Sequence, residues 1–134
     1  MNLNNLFKNR MLYNRCDSPS LNPLDYVHPW VKPNLEKILI AVPESVEMIL
    51  VYGSSLGDFM RFDSDLDLAV ISNDPAVFNK HFVGSLNLDM DLDVKVFPSL
   101  KDLKEQADGF FPTPKAIMDE GLPIYVKGKI IEMR

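Results

Sequence analysis

The sequence predicts an α/β fold of α+β character: a small mixed β-sheet with helices packed on it. Three observations carry that expectation. Residues 46–52 form a near-continuous apolar run, as a buried strand would. Within 65–72 and 87–97, acidic and apolar residues alternate at the period of a strand. Helix-start signals built on Pro, Ser, Thr and Asp punctuate the intervening stretches.

The chain has 134 residues, which favours one domain large enough to bury a core without disulfides or a structural metal. Its single cysteine, Cys16, excludes an intramolecular disulfide and suits a reducing cytoplasm. A net charge of −5 argues against a sequence-independent nucleic-acid binder, which would usually be basic. The N-terminus lacks the apolar core of a signal peptide, and no apolar run approaches the ~20 residues of a bilayer span. The expectation is a cytoplasmic protein without a membrane partner.

The elements follow in order. Residues 1–33 are rich in Asn and carry Pro19, Pro23, Pro29 and Pro33. Leu3, Leu6, Phe7 and Met11 allow a short helix over 1–12; residues 13–33 should be irregular. This N-terminal arm, 1–33, bears the apolar Tyr26, Val27 and Trp30, which would lie on the body of the molecule or on a partner. The domain proper is expected over 34–134. A helix over 34–42 would present Leu35, Ile38 and Leu39 on one face, with Pro43 ending it. The first strand, 46–52, leads into a turn and short helix over 53–59. In the second strand, 65–72, Leu66, Leu68 and Val70 face one side, and Asp65 and Asp67 the other.

Asp74 as cap and Pro75 at the first helical position predict a helix continuing through 76–82. The third strand is expected over 87–97, with Asp89, Asp91 and Asp93 on one face. Leu88, Met90, Leu92, Val94 and Val96 share the other. Ser99 would cap a helix over 100–107. Thr113-Pro114 would open another, stopped by Gly121, and 123–126 would form the last strand.

Two carboxylates two residues apart on one strand face can grip one divalent cation. Mg²⁺ requires hard oxygen ligands. Asp65 and Asp67 supply two, and Asp93 on a neighbouring strand is the best third, with Asp91 the second choice. A third carboxylate there would also activate an acceptor hydroxyl. Twelve residues before Asp65, Gly53 permits a sharp turn. Ser54 then offers a backbone N–H and a hydroxyl to phosphate, with Ser55 assisting. Arg61 and Lys95 are the nearest cations in sequence. The run Asp63-x-Asp65-x-Asp67 imitates a calcium loop, but Leu68 stands where that loop needs Gly. His28 and His81 are isolated, and Phe110-Phe111 reads as core or loop packing, or as the lining of a base pocket.

Gly53-Ser54 followed by Ser64-Asp65-Leu66-Asp67-Leu68 resembles the signature of the DNA polymerase beta-like nucleotidyltransferase superfamily, and within it the minimal nucleotidyltransferases. The resemblance covers residues 35–97 and extends loosely through 117–125. It implies a nucleotidyltransferase-type sheet and a catalytic domain over 34–134. It also implies Mg²⁺ or Mn²⁺ on Asp65, Asp67 and Asp93, with a nucleoside triphosphate such as ATP on Gly53, Ser54 and Ser55. The reaction implied is transfer of a nucleoside monophosphate to an acceptor. Minimal members of this look are often antitoxins that modify a HEPN-type RNase toxin, so a protein acceptor is one implication. Two other readings stand beside it: a non-catalytic module or antitoxin acting by contact, and a small-molecule, antibiotic-type transferase. Association with a second copy of the chain is left open.

Overall fold

The computed structural model describes residue 24 and residues 27–56 and 64–127. Four strands, β1 (Val46–Val51), β2 (Leu66–Ser72), β3 (Leu92–Phe97) and β4 (Leu122–Val126), form one sheet in the order β3-β2-β1-β4. β2 and β3 are parallel, while β1 runs antiparallel to both β2 and β4, so the sheet is mixed. Helices α1 (Lys32–Leu39), α2 (Lys80–Ser85), α3 (Leu100–Asp108) and α4 (Pro112–Glu120) complete the described elements. The molecule is therefore a mixed α/β protein of the α+β kind.

Alternation along β2 divides the core in two. Leu66, Leu68 and Val70 are fully buried on one face, with Val31, Leu35 and Ile38 from α1 and its N-terminal flank. On the other face Ala69 and Ile71 join Met48, Leu50, Tyr52 and Phe97, covered by Leu103 of α3 and Ile117 of α4. Each fully buried aliphatic side chain contributes about 1.5–3 kcal/mol of transfer free energy, so this alternation fixes which face β2 turns inward. Leu24 and Val27 are also buried in the first cluster, so these arm residues lie on the body, whereas Trp30 is exposed. The helix expected over 1–12, Cys16 and Tyr26 fall outside the described residues.

Several boundaries differ from expectation for local reasons. The helix begins at Lys32, with Pro33 in its first turn, and ends at Leu39. Asp74 does accept a hydrogen bond, from the Ala76 N–H at 3.0 Å, but it closes a turn rather than starting a helix. The helix starts five residues later, where the Asn79 side chain accepts from the Phe82 N–H at 2.9 Å. Either Asx residue satisfies the capping pattern, and only Asn79 is followed by helical backbone.

The third strand begins at Leu92, not at 87. Asn87 has a left-handed φ of 53°. Its carbonyl accepts from Lys37 Nζ at 2.7 Å, and the Asp89 N–H donates to Asn34 Oδ1 at 2.8 Å. Those bonds tie residues 87–89 to α1 instead of to the sheet, so Asp89 and Asp91 precede the strand. α3 starts as expected: Ser99 Oγ accepts from the Asp102 N–H at 3.1 Å. α4 begins at Pro112, and Gly121 ends it where a side chain would collide with the Ile117 carbonyl. Pro123 is tolerated in β4, an edge strand, beside a register shift opposite Ile49 and Leu50. Among the described residues no helix is long and apolar enough to cross a membrane.

Candidate functional site

Three chain segments meet at one end of the sheet. β2 and β3 both start there, and the parallel register sets Asp67 directly beside Asp93. Asp65, two residues before Asp67 and on the same side by strand alternation, is exposed just ahead of β2. The Leu66 N–H donates to the Asp91 carbonyl at 2.8 Å, which aligns the two strand entries. Asp91 is thereby engaged through its backbone, and Asp93 is the third carboxylate that sits within the sheet.

β1 ends at the same place. The Tyr52 N–H donates to the Asp67 carbonyl at 3.3 Å, and the chain then turns through Gly53 into a 3-10 turn, Gly53–Leu56. Gly53 has a φ of +73°, and a Cβ there would lie 2.7 Å from Asp67 Oδ2. Any side chain here would be strained at this φ and would push the Asp67 carboxylate aside. The turn at Gly53 thus lies against the Asp67 carboxylate, with Asp93 in register beside it.

Ser54 and Ser55 follow in the 3-10 turn. Ser55 is fully buried, its Oγ without a hydrogen-bond partner, and its carbonyl accepts from the His28 N–H at 2.7 Å. The arm therefore braces the turn through backbone. A phosphate held at this turn would meet Ser55 through main chain, since the hydroxyl expected to assist is sealed in the interior. Gly57, Arg61 and Asp63 fall outside the described residues.

The electrostatics point to a site that favours cations. Asp67 is pushed above the usual carboxylate range, first by burial, then by the negative charges of Asp93 and Asp65; Lys95 partly offsets the rise. Tyr52 is pushed up to about 12, again by burial first and then by Asp67 and Asp93. It stays a neutral phenol throughout the physiological range. Lys95 Nζ lies 3.2 Å from Asp93 Oδ1, both side chains about half exposed. Among the described residues no three His, Cys, Asp or Glu side chains converge as a ready metal cage. Register sets Asp67 beside Asp93, the charge of Asp65 also reaches Asp67, and Asp93 pairs with Lys95. The donor set is made wholly of hard carboxylate oxygens, which fits Mg²⁺ or Mn²⁺ and not a soft metal.

Tyr52 was not picked out from the sequence, although it immediately precedes Gly53; an aromatic in an apolar strand reads as core. Nor was the His28 contact, which is made by backbone and leaves no side-chain signal. Two surface cavities among the described residues lie elsewhere. One of about 320 Å³ is lined by Met48, Ile71, Leu100 and Val126, toward the opposite end of β1 and β2. Another, of about 230 Å³, lies on the α3–α4 hairpin by Phe110 and Lys115. Neither gathers the charged strand ends.

Comparison with protein-family models, curated proteins and solved structures gave no match for this chain.

Proposed function

We propose that this chain is a metal-dependent nucleotidyltransferase with the nucleotidyltransferase-type fold. It would transfer a nucleoside monophosphate from a triphosphate, ATP being the first candidate, to an acceptor. The observation that carries the reading is the approach of Gly53 to the Asp67 carboxylate, with Asp93 in register beside it. A tight turn against a carboxylate pair supports this reading, because phosphoryl chemistry needs its phosphate and metal holders close together.

In this reaction the acceptor oxygen bonds to the α-phosphorus as the bond to pyrophosphate breaks. Asp65, Asp67 and Asp93 would hold Mg²⁺ or Mn²⁺. Bound there, the metal would supply charge neutralisation for the entering and leaving oxygens. Asp93, the outer carboxylate on edge strand β3, would take the proton of the acceptor hydroxyl. The backbone N–H groups of the turn at Gly53 and Ser54 would hold the departing pyrophosphate. Tyr52 adds no negative charge, because its phenol stays protonated.

The acceptor class implied by the motif resemblance is a partner protein such as a HEPN-type RNase toxin. The experiment is calorimetric titration of ATP, GTP, CTP and UTP with and without Mg²⁺, on the wild type and the Asp65→Asn/Asp67→Asn variant. Mass spectrometry of a co-expressed partner follows. Metal-dependent binding lost in the variant, with a nucleotidyl mass added to the partner, is expected. Binding that is absent from the wild type would favour a module acting by contact. Transfer to an aminoglycoside-like small molecule alone would favour the antibiotic-type reading.

A further inference from the structure

Lys95 occupies an unusual place for a surface lysine. It lies two residues beyond Asp93 on β3 and therefore on the same face. Its register partner on β2 is Ala69, whose side chain is the smallest on that face. The ammonium group is thus carried along the row that holds Asp67 and Asp93, and its Nζ sits 3.2 Å from Asp93 Oδ1.

We propose that Lys95 is an exchangeable counter-ion: it pairs with Asp93 and moves to the polyphosphate of an incoming nucleoside triphosphate, freeing Asp93 to work. This rests on the nucleotidyltransferase reading and assigns a positioning role that the motif does not contain. Two physical points support it. An exposed Lys–Asp pair is weak, so it is surrendered easily to a ligand carrying several negative charges. Lysine is also a flexible point charge on a long stem, suited to moving between two anions, whereas a bidentate arginine would be harder to release. Lys95 further relieves the charge crowding on Asp67, which places its field across the whole acidic row.

The two roles predict effects of opposite sign. Removing Lys95 unmasks Asp93 for a bare cation and removes a contact to the triphosphate. Mn²⁺ alone, and then ATP with Mn²⁺ saturating, would be titrated calorimetrically into the full-length wild type, Lys95→Gln and Lys95→Arg. Lys95→Gln should bind Mn²⁺ alone about threefold to tenfold more tightly and ATP more weakly by a similar factor. Lys95→Arg, harder to release from Asp93, should bind ATP no more tightly than wild type and bare Mn²⁺ no better. Inorganic tripolyphosphate should repeat the ATP result, since the contact is to phosphate and not to the base. Both affinities of Lys95→Gln moving in one direction, or neither moving, overturns the exchange. A wild type that binds neither Mn²⁺ nor ATP overturns the underlying functional reading and this inference with it.

Discussion

The two faces of β2 are built from alternate residues of one seven-residue strand, yet they do different work. On one face Leu66, Leu68 and Val70 are wholly buried beside the residues of α1. On the other, Ala69 and Ile71 are buried at the far end, but Asp67 stands half-buried at the near end beside Asp93. The first face gives up charge entirely and gains transfer free energy along its full length. The second gives up part of its core to crowd negative charge where three strand ends meet. One side of the strand is apolar from end to end, while the other passes from core to a crowded acidic end.

The largest expected effect breaks the apolar face. Leu68→Ala should lower unfolding free energy by about 2–5 kcal/mol, as buried Leu-to-Ala changes do, while leaving metal and nucleotide affinity of the folded fraction unchanged. Denaturant unfolding checks the first part and titration below the transition checks the second. A binding loss at full folding would mean that the faces are not separable.

Next comes the junction between them. Gly53→Ala should cost about 1–2 kcal/mol through its left-handed φ alone. The contact with Asp67 adds to that. In an Asp67→Ala background the nearest carboxylate atoms are gone and only Asp67 Cβ remains, at 3.7 Å. The double-mutant cycle should therefore recover about 0.5–1 kcal/mol of coupling. Strict additivity would mean that the turn and the carboxylate do not meet.

A pH titration sharpens the acidic face. Tyr52 has its native pKa raised from 10.0 to about 12, so the protonated phenol favours the fold. That contribution is fully present below pH 10 and is lost as pH rises through about 12. Ultraviolet difference titration of wild type against Tyr52→Phe should show one tyrosine ionising in that late window. Asp67→Asn should move it down without returning it to 10.0, because burial is the larger cause. A return to 10.0 would assign the rise to charge alone.

The smallest effect concerns Ser55. Its buried hydroxyl has no partner, so Ser55→Ala should be neutral or stabilising by up to about 1 kcal/mol and should leave nucleotide affinity intact. A large loss of affinity would restore the hydroxyl to the phosphate site.

Much of this was legible in the sequence. Alternating Asp and Leu in β2 gave the face of every residue, because strand period leaves no third option. Val46–Val51 was legible as a buried strand from its apolar run alone. The pairing of Asp67 with Asp93 was less so, since it depends on a register fixed by the Asp91 and Leu66 backbone. The acidic run 87–91 misled, because its period is that of a strand while Asn34 and Lys37 hold it elsewhere. Asp74 misled because one Asx hydrogen bond serves a turn as well as a cap. The Lys95 pairing with Asp93 needed only strand period, and the sealed Ser55 hydroxyl needed the fold.

The most direct test is a thermal melt of wild type and Asp67→Asn, each with and without Mn²⁺ and ATP. Asp67 has a native pKa above its ordinary 3.8, so its proton favours the fold below 3.8 and that contribution is lost as pH rises through the native value. At neutral pH the carboxylate is thus a cost, and ligand-free Asp67→Asn should melt at or above the wild type. Mn²⁺ with ATP should raise the wild-type Tm through mass action and leave the variant unmoved. A variant that melts lower without ligand, yet keeps the full ligand-induced rise, would contradict the assignment of this face to metal and triphosphate.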